Sequence, residues 1–118
     1  MRRYKFLIVE DEMLIALQIK NSLVRAGYQV CGLAVSGEQA IEVARAEAPD
    51  VILMDIRLLG VMDGIEAAQQ IASFLTFTLI FTTGYPDPAL RERAFLLNPA
   101  AYLIKPVDIY QIKAALPS

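Results

Sequence analysis

Val51-Ile52-Leu53-Met54-Asp55 is the stretch on which the fold turns: four consecutive apolar residues, two of them β-branched, closing on a carboxylate. A half-buried strand alternates apolar and polar side chains, whereas an unbroken apolar run suits a strand covered on both faces of a parallel sheet. Phe6-Leu7-Ile8-Val9 upstream reads the same way, as do Leu79-Ile80-Phe81 and Ala101 to Ile104 downstream, with a weaker strand around Val30 to Val35 interrupted by Gly32. Helical patterns fill the gaps. Met13, Leu14, Leu17 and Leu23 or Val24 recur at helical spacing up to Gly27, a residue suited to the C′ position. Ser36 opens the next helix with Gln39 at capping-box distance; Ile41, Val43 and Ala44 give its apolar side and Pro49 closes it. Asp63 to Phe74 carries Ile65, Ala68 and Ile71 or Ala72 on one stripe. Asp87-Pro88 joins an N-cap to a proline at the first helical position, predicting a helix to about Asn98-Pro99, and Val107 to Leu116 forms a last short helix. Five βα units predict a doubly wound α/β fold with a five-stranded parallel sheet, because right-handed crossovers put helices on both faces. Ligands of such sheets bind outside the carboxyl ends of the strands.

Composition narrows the chemistry. With 118 residues, 56% hydrophobic and a formal charge of −2, the chain is expected to form a single domain over residues 1–118 whose core needs no disulfide or structural metal. Its one cysteine, Cys31, cannot form an internal disulfide and suits a reducing compartment, so a cytoplasmic location is expected. The absence of histidine excludes a Ser-His-Asp triad, a His-ligated zinc and any self-contained phosphohistidine relay. No cationic cluster extends beyond Arg2-Arg3, so direct nucleic-acid binding is not expected. The apolar runs fall far short of the ~20 residues that cross a bilayer, so no membrane partner is expected either.

The strand ends carry the chemistry. Glu10-Asp11-Glu12 follows the first strand, Asp55 ends the third, Thr82-Thr83-Gly84 ends the fourth, and Lys105-Pro106 follows the fifth. Singly, an acidic residue after a strand most often caps a helix, and Thr-Gly or Lys-Pro is most often a turn. Together they deliver carboxylates, hydroxyls and an ammonium to one rim. Asp55, at the end of an apolar strand, requires a cation, since an unpaired carboxylate there is costly to desolvate. Several carboxylates facing one another repel unless a divalent ion sits among them, and an all-oxygen set favours Mg²⁺, or Mn²⁺, over zinc. An ion held by few protein oxygens keeps positions for water and phosphate, which points to phosphoryl chemistry.

Ile8-Val9-Glu10-Asp11-Glu12, Ile52-Leu53-Met54-Asp55-Ile56-Arg57, Phe81-Thr82-Thr83-Gly84-Tyr85 and Tyr102-Leu103-Ile104-Lys105-Pro106, in this order, resemble the receiver domains of two-component response regulators over essentially the whole chain. Spacing strengthens the resemblance: 44 residues separate Asp11 from Asp55, and 22 separate Thr83 from Lys105. It implies a CheY-like strand order 2-1-3-4-5, with Asp55 as phosphoacceptor. It further implies Asp11 as a direct Mg²⁺ ligand, Glu10 as a ligand acting through water, and the Arg57 backbone carbonyl completing the protein's share of the shell. Thr83 and Lys105 would bind phosphoryl oxygens, with Thr83 and Tyr102 as switch residues and a cis Lys105-Pro106 bond. The donor would be a sensor histidine kinase or histidine phosphotransfer protein, which supplies the histidine this chain lacks. Such a domain is not an enzyme in the ordinary sense, since it catalyses only its own phosphorylation and dephosphorylation. Its output face, the last two helices and strand five, would meet a second copy or a downstream effector. Of the apolar residues there, Leu90, Phe95, Leu96, Ile109 and Tyr110, most are expected in the core.

This chain departs from the family's commonest pattern after Asp55, where Arg57 to Gly64 lacks the usual proline and is one residue longer. Thr83-Gly84-Tyr85 matches a subgroup of stand-alone or kinase-linked receivers, in which Tyr85 either shields the acyl phosphate or is simply exposed. Three other readings compete. A small aspartyl phosphohydrolase needs a second carboxylate two residues after its nucleophile, where this chain has Arg57. A flavodoxin-like binder needs a hydroxyl- and glycine-rich loop where Glu10-Asp11-Glu12 stands. A degenerate receiver acting as a constitutive interaction module has usually lost its acceptor, threonine or lysine, and here all three are present.

Overall fold

The structure, a computed structural model, describes residues 2–117. In chain order it contains β1 (Lys5–Val9), α1 (Met13–Arg25), β2 (Gln29–Ala34), α2 (Gly37–Glu47), β3 (Val51–Asp55), α3 (Gly64–Ala72), β4 (Thr78–Thr83), α4 (Pro88–Phe95), β5 (Ala101–Ile104) and α5 (Ile109–Ala115). The strands pair in parallel in the order β2-β1-β3-β4-β5, with Leu53 at the centre facing Ile8 on one side and Ile80 on the other. Among the described residues no helix is long and apolar enough to cross a membrane.

The pleat divides each apolar strand between two cores. Leu7, Val9, Ile52, Met54 and Phe81 face Ala40 and Ala44 of α2, Ile65, Ala68 and Ile71 of α3, and Ala94 of α4. Phe6, Ile8, Val51, Leu53 and Ile80 face Ala16 and Leu23 of α1 and Ile112 of α5. Each large aliphatic side chain fully buried this way contributes roughly 1.5–3 kcal/mol, so the central strands dominate stability. β2 joins at the edge with an irregularity: Phe6 pairs with Val30 and Leu7 with Gly32, leaving Cys31 as an extra residue.

Capping follows local chemistry. Gly27, at φ 95°, ends α1 in a Schellman motif, with Gly27 N–H donating to Val24 O and Tyr28 N–H to Leu23 O. Ser36 caps α2 by accepting from Gln39 N–H at 3.1 Å, but the Gln39 side chain accepts from Val35 N–H rather than closing the box on Ser36. Complete boxes occur instead at Asp63 with Glu66 on α3 and Asp108 with Gln111 on α5. The Asp108 cap starts α5 two residues later than the apolar pattern predicts. α4 stops at Phe95, and Asn98 has φ 51°, which no helix continues.

Two predicted faces are corrected. Met13, Leu14, Leu17 and Val24 lie on the exposed side of α1, Leu14 at 79%, while Ala16 and Leu23 are buried. Apolar residues nearly ring this helix, so spacing admits either face, and small Ala16 permits the closer approach to the sheet. On the α4-β5-α5 side, Phe95, Leu96 and Tyr110 are exposed and Leu90 and Ile109 half-buried, so the expectation that most are core fails. β5 is an edge strand, and the short helices beside it leave that face uncovered.

Candidate functional site

Parallel pairing brings the carboxyl ends of β1, β3 and β4 level, with β5 beside them, so Glu10, Asp55, Thr83 and Lys105 fall on one rim, while Thr82 turns toward α1 and α5. Glu10 follows β1 and is 2% exposed; Asp55 ends β3 and is 3% exposed. With half-buried Asp11 they place carboxylate oxygens within 4.8 Å of one another. Asp11 is not serving as a helix cap: Glu12 occupies the N-cap position of α1, and no side chain caps it.

Lys105 is the countercharge. Its Nζ lies 2.6 Å from Glu10 Oε1 and donates to Asp55 Oδ2 at 2.8 Å, while the other Asp55 oxygen accepts from Arg57 N–H at 3.1 Å. The Lys105-Pro106 bond is cis, and Lys105 N–H donates to Thr83 O, fixing the segment to the end of β4. Burial by itself lowers the Lys105 pKa, but the hydrogen bonds and charges of Asp55 and Glu10 outweigh it and hold the ammonium above its ordinary value. For Asp11 the raising causes win: burial raises its carboxyl and Glu10 raises it further, against the opposing Lys105. Three carboxylates around one ammonium leave an excess of two negative charges, and all the donors are hard oxygens. That set suits a small divalent cation such as Mg²⁺.

The remaining residues frame Asp55. The Thr83 hydroxyl donates to Tyr85 O at 3.1 Å and receives Tyr85 N–H at 3.2 Å, so it is engaged with the loop after β4 rather than with Asp55. Tyr102 is half-buried; its ring centroid lies 5.8 Å from that of Phe95, and its hydroxyl is enclosed without a partner. Two features escaped sequence reasoning. A Cβ on Gly64 would meet Asp55 O at 2.0 Å, so glycine is what lets α3 start directly against the backbone of Asp55. Its signal was a glycine within the longer loop. Arg57 reaches across the rim to Asp87 Oδ2 at 3.5 Å and lies over the exposed Tyr85 ring, tying the loop after β3 to the N-cap of α4. That pairing spans two loops and leaves no local trace in the chain.

Comparison with known proteins agrees with this geometry. The model of the response regulator receiver domain family matches residues 6–117. The transcriptional regulatory protein PdtaR of Mycobacterium tuberculosis is 36% identical over 112 residues, covering 95% of this chain and 54% of its own. The chain therefore spans about half the length of that relative. The receiver domain of a modulated diguanylate cyclase from Desulfovibrio desulfuricans superposes with a TM-score of 0.91 at 36% identity, covering 97% of this chain and 90% of the other. A Burkholderia pseudomallei response regulator, solved with a phosphorylated aspartic acid, a calcium ion and citrate, gives 0.87 at 28% identity, covering 98% and 67%. The fold, the rim of acidic side chains and the family match over residues 6–117 agree, and this chain belongs to the response regulator receiver domain family.

Proposed function

We propose that residues 1–118 act as one phosphoaccepting receiver domain, in which Asp55 takes a phosphoryl group from a phosphohistidine on a sensor kinase or phosphotransfer protein. The observation that carries this reading is a nearly buried Asp55 with one oxygen on Lys105 and two further carboxylates within 4.8 Å. An Asp55 oxygen attacks phosphorus in line; the O–P bond forms as the N–P bond to the donor imidazole breaks, and the bonding pair leaves with the imidazole. Lys105 shifts from Asp55 onto a phosphoryl oxygen, and the Thr83 hydroxyl leaves Tyr85 O to donate to another. Glu10, Asp11, Asp55 and the Arg57 carbonyl would hold Mg²⁺, which when bound neutralises charge on the transferring group. Positioning and charge stabilisation do most of the work in such transfers.

The domain turns over only its own phosphoryl group. Loss of the Thr83–Tyr85 hydrogen bonds frees the β4–α4 loop and gives Tyr102 room to move, altering the α4-β5-α5 face through which a second copy or an effector is engaged. A cytoplasmic location accords with the unpaired Cys31. The test is transfer of labelled phosphate from a phosphohistidine protein to the wild type and to Asp55→Asn in Mg²⁺. Label on the wild type alone supports the reading; label on neither, with the Mg²⁺-dependent stability change intact, favours a constitutive interaction module.

A further inference from the structure

Beside Asp55, on the face of the sheet that carries α1 and α5, these two helices leave a cleft of about 340 Å³ between them. Its walls are largely apolar, built from Ile15 and Ile19 of α1 and from Val107 and Ile112 at the opposite side. Thr82, 4% exposed, lines it from the sheet. The pleat turns Thr82 to this side, in line with Ile80 and away from Phe81. The Thr83 hydroxyl is satisfied by Tyr85, whereas Thr82 contributes its side chain to the wall of the cleft. A hydroxyl on an otherwise largely apolar wall gives an occupant one hydrogen-bonding partner that fixes its orientation.

We propose that this cleft is a binding site for a small neutral amphiphile, with an apolar body packed between α1 and α5 and one hydroxyl or carbonyl bonded to Thr82. Size favours a small molecule over a single protein side chain, since the volume falls at the lower end of the roughly 300–1,000 Å³ of ligand pockets. Charge favours a neutral one. The cation on the wall is Lys105, whose ammonium already lies 2.6 Å from Glu10 and 2.8 Å from Asp55, so an ionised head group finds no free countercharge. The stem of Lys105 and the ring of Pro106 form part of the same wall, so an occupant touches the segment that carries the ammonium.

The test is a titration of the isotope-labelled full chain with benzyl alcohol and with toluene, followed by amide chemical shifts. Both probes are expected to move the amides of Ile15, Ile19, Val107 and Ile112. Thr82→Val should weaken benzyl alcohol about three- to tenfold, the loss of one neutral hydrogen bond, and leave toluene unchanged. Ser22→Leu, which fills the α1 wall, should abolish both, so the test survives a poorly folded Thr82 variant. Shifts confined to other residues, shifts that persist in Ser22→Leu, or equal losses of both probes in a folded Thr82→Val would overturn the assignment. So would a phosphohistidine donor protein that moves these amides when neither probe does, since the cleft would then belong to a protein partner. The binding readout needs no phosphorylation, so its failure and that of the phosphoacceptor reading are separable.

Discussion

Replacing Lys105 with methionine keeps the side-chain stem and removes the one ammonium set between Glu10 and Asp55, which are 2% and 3% exposed. Removing one partner of a buried ion pair costs about 3–5 kcal/mol, because the other charge stays buried without compensation. The Lys105 side chain is 17% exposed, so water reaches the site and the cost falls at the lower end, about 3 kcal/mol. With a urea dependence of roughly 1–3 kcal/mol/M, the unfolding midpoint in chelator should drop by about 1–3 M. Added Mg²⁺ then acts in the opposite sense. The variant offers a dication three carboxylates with no competing ammonium, so Mg²⁺ should bind it more tightly than the wild type. At a hundredfold excess over Kd, a ligand that binds only the folded state contributes about 2.7 kcal/mol, enough to restore most of the loss. Urea unfolding of both proteins, in chelator and in Mg²⁺, reads all four states. Equal midpoints in chelator, or equal Mg²⁺ shifts in the two proteins, would refute this electrostatic account of Lys105.

Asp11→Asn should stabilise the metal-free protein at neutral pH and abolish its Mg²⁺-dependent gain. The folded-state pKa of Asp11 lies above its ordinary 3.8, so its ionisation penalises the fold as pH rises through that window, and the benefit of the substitution should vanish below it. Melting temperatures in chelator against pH check the sign; a benefit that grows toward acid contradicts it. Gly64→Ala forces a Cβ against Asp55 O and should cost at least about 1–3 kcal/mol, measured by denaturant unfolding; an unchanged midpoint would show that α3 can withdraw freely. Burial raises the Cys31 thiol, so alkylation at pH 8 should run well below the rate of a free thiol of ordinary pKa; equal rates would place it in solvent.

The sheet and the polar rim at its carboxyl end were legible because their signals are local. An apolar run such as Val51 to Met54 has few ways to be buried, and the strand ends name themselves by the abrupt change to Asp55, Glu10 or Lys105. The face of α1 was not legible, since Met13 to Leu17 is apolar throughout and only packing selects Ala16. The boxes at Asp63 and Asp108 could have been read from Glu66 and Gln111 three residues on, and would have placed the start of α5 correctly. The contact of Gly64 with Asp55 and the reach of Arg57 to Asp87 depend on how loops meet in space, which no periodicity records.

The most direct measurement on the central claim is the intact mass of the chain after a small-molecule phosphodonor, with Mg²⁺ or with chelator, followed by tryptic mapping. A single hydroxylamine-labile phosphate is expected only with Mg²⁺, on the peptide running from Ala46 to Arg57, and absent from Asp55→Asn. Equal phosphate in chelator, or phosphate on any other peptide, would contradict an acceptor built from Asp55 and its neighbouring carboxylates.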